Sequence, residues 1–293
     1  MSASSFQNTV FPCKNPQRYF GVDFFASIFQ GSNPTRKFYA SPADIDQTYR
    51  PELEDIKHMG TESFIYEMRR IPEGSVIGFD QNPDPYVASI NKVGTMKKVL
   101  EAIKESNMGL YLETSSENVL EDIPIIVKIS ENAPVLIAIP VGFVNDEMGR
   151  MFEPSEPSFA AKLRLIRRFA SENLRVGVIL KPVIPFVNDS EENILQILNK
   201  AKEAGASFMY PSFGIIISDE QRPSFYSLID KHYPGLKNIY MDNFGIRKSI
   251  SSANAEKLKK AFVFSAKKMH VDFGMKEIIR SVKPTSDMQM KLF

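Results

Sequence analysis

From residue 75 onward the chain alternates between two patterns. Short apolar runs at 75–79, 109–112, 135–141, 176–180 and 208–210 are separated by longer segments in which apolar residues return at helical spacing. That alternation predicts buried strands connected by amphipathic helices. The clearest helix spans 190–204: Ile194, Ile197, Leu198 and Ala201 share one face, polar residues from Asn188 to Ser190 precede it, acids fill its first turn and Gly205 stands just past its end. A second helix covers 158–171, with Phe159, Leu163 and Ile166 inward and Lys162, Arg164, Arg167 and Arg168 largely outward. With an aromatic run at 19–29, about six strands are expected, and strands this apolar belong in a parallel sheet covered on both faces.

The first third is less regular. Residues 1–18 carry Pro12 and Pro16 without a period of 2 or 3.6 and read as an irregular lead-in. Residues 29–40 form a polar loop after the first strand, and 42–70 are polar with room for a short helix near 51–59. No G-x-G-x-x-G and no phosphate-cradling loop occurs, since Gly205 and Gly214 are isolated. A curled parallel barrel is therefore favoured over a doubly wound dinucleotide fold. The ligand site of such a barrel lies at the carboxyl ends of its strands, here 31–40, 80–86, 113–116, 142–146, 181–185 and 210–214.

Composition narrows the chemistry. At 293 residues and 43% hydrophobic content, one domain with an appendage is expected. There is no continuous apolar run long enough to span a bilayer and no signal-peptide pattern in MSASSFQNTV, so a cytoplasmic protein with no membrane partner is expected. Cys13 is the only cysteine, which excludes an internal disulfide and an all-cysteine metal or iron–sulfur site within one chain. His58, His232 and His270 are far apart and show no ligand spacing. The net charge of +1 hides an asymmetry: residues 247–293 hold eleven Lys or Arg against four Asp or Glu, leaving +7 there and −6 in the rest. Two readings stay open for this basic segment. It could meet nucleic acid, or it could be the solvated face of a helix in which Leu258, Phe262 and Ala266 point inward and Lys257, Lys259, Lys260, Lys267 and Lys268 outward.

Several strand-end segments occur in an order and spacing that resemble one family. They are Asp84-Pro85-Tyr86, Thr114 with Ser116, Glu153-Pro154 with Pro157-Ser158, the stretch from Pro182 to Asp189, Tyr210 to Gly214, Gln221-Arg222, Tyr233 to Leu236, and Leu292-Phe293. Together they resemble the radical S-adenosylmethionine (SAM) enzymes of the spore photoproduct lyase-like, or DNA-repair photolyase-like, group. The resemblance implies a partial TIM-type (β/α)6 barrel over 19–232, with a basic C-terminal helical extension over 233–293 packed on it. It also implies a Cys-x3-Cys-x2-Cys loop after the first strand. With Gly31 in register, those positions fall on Ser32, Arg36 and Tyr39. Three thiolates hold the [4Fe–4S] cluster on which this chemistry depends, and none of these side chains replaces one: serine is a poor ligand, protonated arginine does not ligate, and tyrosine is too large. The family's lysine after the third strand is matched by Ser115, an acidic position by Ile90, and a cysteine expected near 247–252 is absent.

No iron–sulfur cofactor is therefore expected, and radical lyase chemistry is expected to be lost. The residues the resemblance places at the pocket are Ser32, Arg36 and Tyr39 at the former cluster positions, with Asp84, Tyr86, Ser116, Glu153, Lys181 and Tyr210 around it. No catalytic residue is assigned. Asp84 is either a pocket group or a turn residue bonding local backbone, Glu153 either orients a ligand or bonds backbone near Ser158, and Lys181 either points into the barrel mouth or snorkels outward. Tyr19, Phe20, Phe24, Phe25 and Phe29 are expected to pack beneath the loop. Arg36 either pairs with Asp44, Asp46 or another nearby acid, or lies in solvent, or converts the old cluster space into a site for an anion. The reading is a pseudoenzyme with a binding or regulatory role and SAM, a related nucleoside or a small anion as candidate ligand. The alternatives are a non-radical enzyme in the same barrel and a nucleic-acid-binding protein.

Overall fold

The computed structural model describes residues 10–12, 19–26, 61–79, 84–88 and 94–280. Its frame is a seven-stranded sheet in sequential order: β1 (Val10–Pro12), β2 (Phe24–Ala26), β3 (Val76–Phe79), β4 (Gly109–Glu113), β5 (Val135–Val141), β6 (Val176–Leu180) and β7 (Phe208–Pro211). β1 pairs antiparallel with β2, and the remaining neighbours are parallel. The helices between the parallel strands include α1 (Thr61–Met68), then the short α2 (Pro85–Ala88) with α3 (Thr95–Glu105), α4 (Ile123–Ser130), α6 (Phe159–Ser171) and α7 (Glu191–Glu203), following the sequence alternation. The expected partial (β/α) barrel is the observed architecture.

The helices follow local rules. Ser158 and Ser190 cap α6 and α7, each accepting a hydrogen bond from the backbone three residues on. α7 ends at Gly205, which adopts φ +102, a left-handed conformation that glycine adopts without strain. β3, β4, β5 and β6 are buried along their whole lengths. Side chains alternate across them: Ile77, Leu110, Leu112, Ile137, Val178 and Leu180 pack outward under the helices, whereas Val76, Tyr111, Leu136, Ala138, Ile179 and Phe208 face inward.

The inner face is filled by a separate aromatic cluster. Phe20 stacks on Tyr111 with centroids 4.8 Å apart and meets Tyr210 edge-on at 5.4 Å. Gly177 makes room for one wall, because a Cβ there would lie 2.4 Å from the Phe208 ring. Ile278, on α11 (Met275–Arg280), joins this cluster from the far end of the chain. A third core gathers Phe143, Phe152, Ile184, Ile215, Phe225, Ile229, Tyr240 and Ile250 beyond the carboxyl ends of the strands. It is built by α5 (Asp146–Phe152), β8 (Gly214–Ile216), α8 (Arg222–His232), α9 (Leu236–Phe244) and β9 (Ser249–Ser251), with β8 and β9 antiparallel. α10 (Ala255–Lys268) lies against α7, with Leu258, Phe262 and Ala266 buried.

Three expectations change. The 19–29 run does not start as a strand: Tyr19–Gly21 is a 3-10 turn, and among its described residues, 19–26, the paired strand is Phe24–Ala26. Part of the lead-in is the edge strand β1, too short to show a period, with Pro12 at an edge where its missing N–H is tolerated. α1 (Thr61–Met68) is a helix in a segment read as polar with room for a short helix near 51–59, and it is anchored by buried Phe64 and Met68. The helix expected near 51–59 lies outside the described residues. Among the described residues no helix is long and apolar enough to cross a membrane.

Candidate functional site

The carboxyl ends of β3 to β7 carry a polar rim. Continuing the inward register of Tyr111 by two residues reaches Glu113, and continuing that of Ile179 reaches Lys181. Their side chains meet across β5, with Lys181 Nζ 2.7 Å from Glu113 Oε1, and both are almost fully buried. Tyr111 donates its hydroxyl to Glu113 Oε2 at 3.3 Å. Lys181 therefore points into the barrel and does not snorkel outward. The pair converges with Tyr111 on the inner face, where low dielectric strengthens its attraction.

Asp84 lies one strand away and is held by its neighbours. Its carboxylate accepts from the Tyr86 N–H, the Ser115 N–H and the Thr114 hydroxyl, each at 2.9 Å. Burial raises its pKa above the ordinary carboxylate value, partly opposed by the Ser115 and Tyr86 hydrogen bonds, and the charge of Glu156 pushes in the same upward direction as burial. The side chain ties the loop after β3 to the loop after β4, so the backbone-bonding role is the one realised. Tyr86 reaches on to donate its hydroxyl to Asp122 Oδ2 at 3.0 Å. Burial and the Asp122 carboxylate raise the Tyr86 pKa well above its ordinary value. Ser116 caps the 3-10 helix Glu117–Asp122 by accepting from the Asn118 N–H.

Beyond β5, Glu153 is buried and lines a cleft with a volume of about 40 Å³, together with Gly142, Asp146, Glu156, Ser158 and Lys162. Glu156 and Lys162 form a buried ion pair at 2.8 Å. This corrects the outward placement of Lys162. The helical period put it on the flank of α6, and the acidic loop before the helix gives its charge an inward partner. Asn188 braces the same rim, donating to the carbonyls of Gly142 and Pro182 and accepting from the Ile184 N–H. Tyr210 stands on the inner face of β7, half-buried, with its pKa pushed up to about 12 first by burial and then by Tyr19.

The structure thus brings Asp84 and Tyr86 into one network with Thr114, and places Lys181 opposite Glu113 and Glu153 in the adjoining cleft. Tyr210 belongs to the aromatic cluster through Phe20 and Tyr19. Ser32, Arg36 and Tyr39 lie outside the described residues, as do Ile90 and Cys13. Sequence reasoning placed Glu113 and Thr114 at the strand ends within 113–116 without singling them out as pocket residues, and it did not place Glu156 or Lys162 at the site. Glu113 did leave a signal, as the charged last residue of Gly-Leu-Tyr-Leu-Glu, an otherwise uncharged strand.

The chain has one thiol in place of three. Among the described residues no group of three or more His, Cys, Asp or Glu side chains is arranged to hold a metal ion. The rim carries hydrogen-bonding groups and ion pairs that engage one another.

No protein-family model matches the chain. It is 26% identical over 178 residues to an uncharacterized protein of Mycobacterium tuberculosis and equally to one of Mycobacterium bovis, covering 60% of this chain and 52% of each relative. The chain spans about half the length of these curated relatives. An uncharacterized protein of Acidianus two-tailed virus is 21% identical over 141 residues, 47% of this chain and 46% of that one. Among solved structures, spore photoproduct lyase complexed with dinucleoside spore photoproduct superposes with a TM-score of 0.53 at 14% identity, over 89% of this chain and 79% of that one. A cysteine-to-serine variant of spore photoproduct lyase gives 0.51 at 14% identity, over 74% and 66%. At such identities the likeness is one of architecture, and the chain has a radical SAM-like fold.

Proposed function

We propose that this protein is a radical SAM-like barrel without cluster chemistry, acting as a pseudoenzyme that binds a nucleoside, SAM or a small anion in a binding or regulatory role. One observation carries the reading: the positions that should supply three thiolates hold Ser32, Arg36 and Tyr39, in a chain with a single cysteine. The rim at the carboxyl ends of the strands supports retention of a polar site there, because Asp84 with Thr114 and Glu113 with Lys181 are held in place by a hydrogen bond and an ion pair. Arg36 is proposed to favour an anionic ligand at the former cluster position.

Anaerobic reconstitution with iron and sulfide tests the loss. The expected result is a colourless protein that does not reductively cleave SAM. A stable cluster absorption band with about four irons per chain would overturn it. Isothermal titration with SAM and its nucleoside products tests the retained pocket, with saturable binding expected.

A second reading, a non-radical enzyme in the same barrel, is favoured by the convergence of Glu113 and Lys181 on the inner face. Its test is product analysis after incubation with SAM and nucleotides. Turnover that is abolished in a folded Lys181→Met, Glu113→Leu double variant supports an enzyme. Binding without turnover supports the pseudoenzyme.

A further inference from the structure

α10 presents an unusual outer face. Its inner side is fixed in the core by Leu258, Phe262 and Ala266. At about 100° per residue, Lys257, Lys260, Phe264, Lys267 and Lys268 fall within an arc of roughly 100° diametrically opposite those three. All four lysines are exposed. Phe264 is 72% exposed, at the middle of the arc, one turn from Lys260 on one side and from Lys267 and Lys268 on the other. The acid Glu256 stands at its edge, and Glu191 of α7 approaches Lys257 only to 3.9 Å. A solvated helix face needs no aromatic ring, and a phenyl held out in water among four cations leaves a π-face bare.

We infer that this face of α10 is a binding platform for single-stranded nucleic acid, with Phe264 stacking one base and the surrounding lysines contacting phosphates. Charge complementarity fixes the partner as a polyanion. The single ring decides among polyanions. Base stacking on one exposed aromatic contributes substantially to single-strand binding and is independent of sequence. A membrane would gain little, because the apolar side of α10 is committed to the core and only one ring could enter the bilayer. A duplex shows its bases only edge-on and offers the ring no face to stack on. The site lies on the outside of the barrel beside α7, away from Asp84, Glu113 and Lys181, so it stands or falls independently of the barrel-mouth reading.

Fluorescence anisotropy of the full chain with a labelled oligothymidylate tests the platform, with the same oligonucleotide as a duplex and vesicles rich in phosphatidylserine as comparison ligands. Single-strand binding is expected to weaken with salt at a slope near −3 in log–log form, about −0.7 for each of four phosphate contacts. Replacing Lys260 and Lys267 by Ala should flatten that slope by roughly 1.4. Phe264→Ala and Phe264→Leu should both weaken binding roughly tenfold without changing the slope, because leucine keeps apolar area but has no π-face to stack. SAM titration should be unchanged in all these variants. No retention of the single strand at low salt, full affinity in Phe264→Leu, or binding to vesicles in preference to the oligonucleotide would overturn the inference.

Discussion

At the scale of single residues, the buried ion pair between Lys181 and Glu113 is the most informative feature. Both side chains sit on the inner face, so each contributes to compensating the other's lost hydration. Removing one partner leaves a buried charge, and Lys181→Met is expected to destabilise the fold by about 3–5 kcal/mol. The double variant Lys181→Met with Glu113→Leu should recover most of that loss, since apolar replacement of a whole buried pair is often neutral. Chemical denaturation of the two single variants and the double variant measures the coupling. An additive double variant would show that the two charges do not stabilise each other. Tyr210 makes a separate, pH-dependent contribution. Its folded pKa of about 12 lies above the ordinary value of 10.0, so the contribution is complete below pH 10 and lost as pH rises through about 12. Tyr210→Phe should remove that part of the alkaline decline in melting temperature and leave the profile below pH 10 parallel to wild type.

At the scale of elements, what could be read in the sequence follows how local each determinant is. α7 was legible almost to the residue, because Ser190, the acids after it, the apolar stripe and Gly205 all lie within the helix or next to it. β3 to β6 were legible as apolar runs, since burial on both faces leaves no polar alternation to confuse them. β2 was overextended because aromatic composition marks Tyr19 to Phe25 as strand-like, while the break after Gly21 depends on Phe20 folding back over Tyr111. Of the site, the register of Lys181 follows from strand alternation, but its partner on β4 is set by the order of strands in the sheet. Lys162 shows the same limit on a helix. Helical spacing fixed its angle on α6 but not the presence of Glu156 beneath it. The pair is buried on both sides, so Lys162→Met should cost about 3 kcal/mol, whereas Arg167→Met on the exposed face of the same helix should change stability by no more than about 0.5 kcal/mol. Thermal melts of the two variants separate these outcomes, and equal losses would remove the buried ion pair as the explanation.

At the scale of the whole molecule, the two ends of the described chain close the inner face together. The Phe20 N–H points at the Met275 sulfur at 3.0 Å, and Ile278 shares the cluster of Phe20, Val76, Leu136 and Phe208. Val76 and Phe208 begin their strands, so this plug sits toward the amino ends while the ion pair of Glu113 and Lys181 occupies the carboxyl ends. The part of the basic segment that includes α11 is thus both a charged surface and a structural closure. Its charge was evident from composition, but its role depended on a contact spanning more than 250 residues, for which no local pattern exists. Phe20 adopts φ 53, a left-handed conformation that is costly for a bulky residue and persists only where packing over-determines it. Phe20→Ala removes that packing from Tyr111, Phe208 and Tyr210 at once and should cost about 3–5 kcal/mol. If the plug joins both ends into one cooperative unit, hydrogen exchange in this variant should rise together in residues 19–26 and in α11. Faster exchange in 19–26 with α11 still protected would show instead that the two ends unfold independently, and that the closure is two separate contacts on a common barrel.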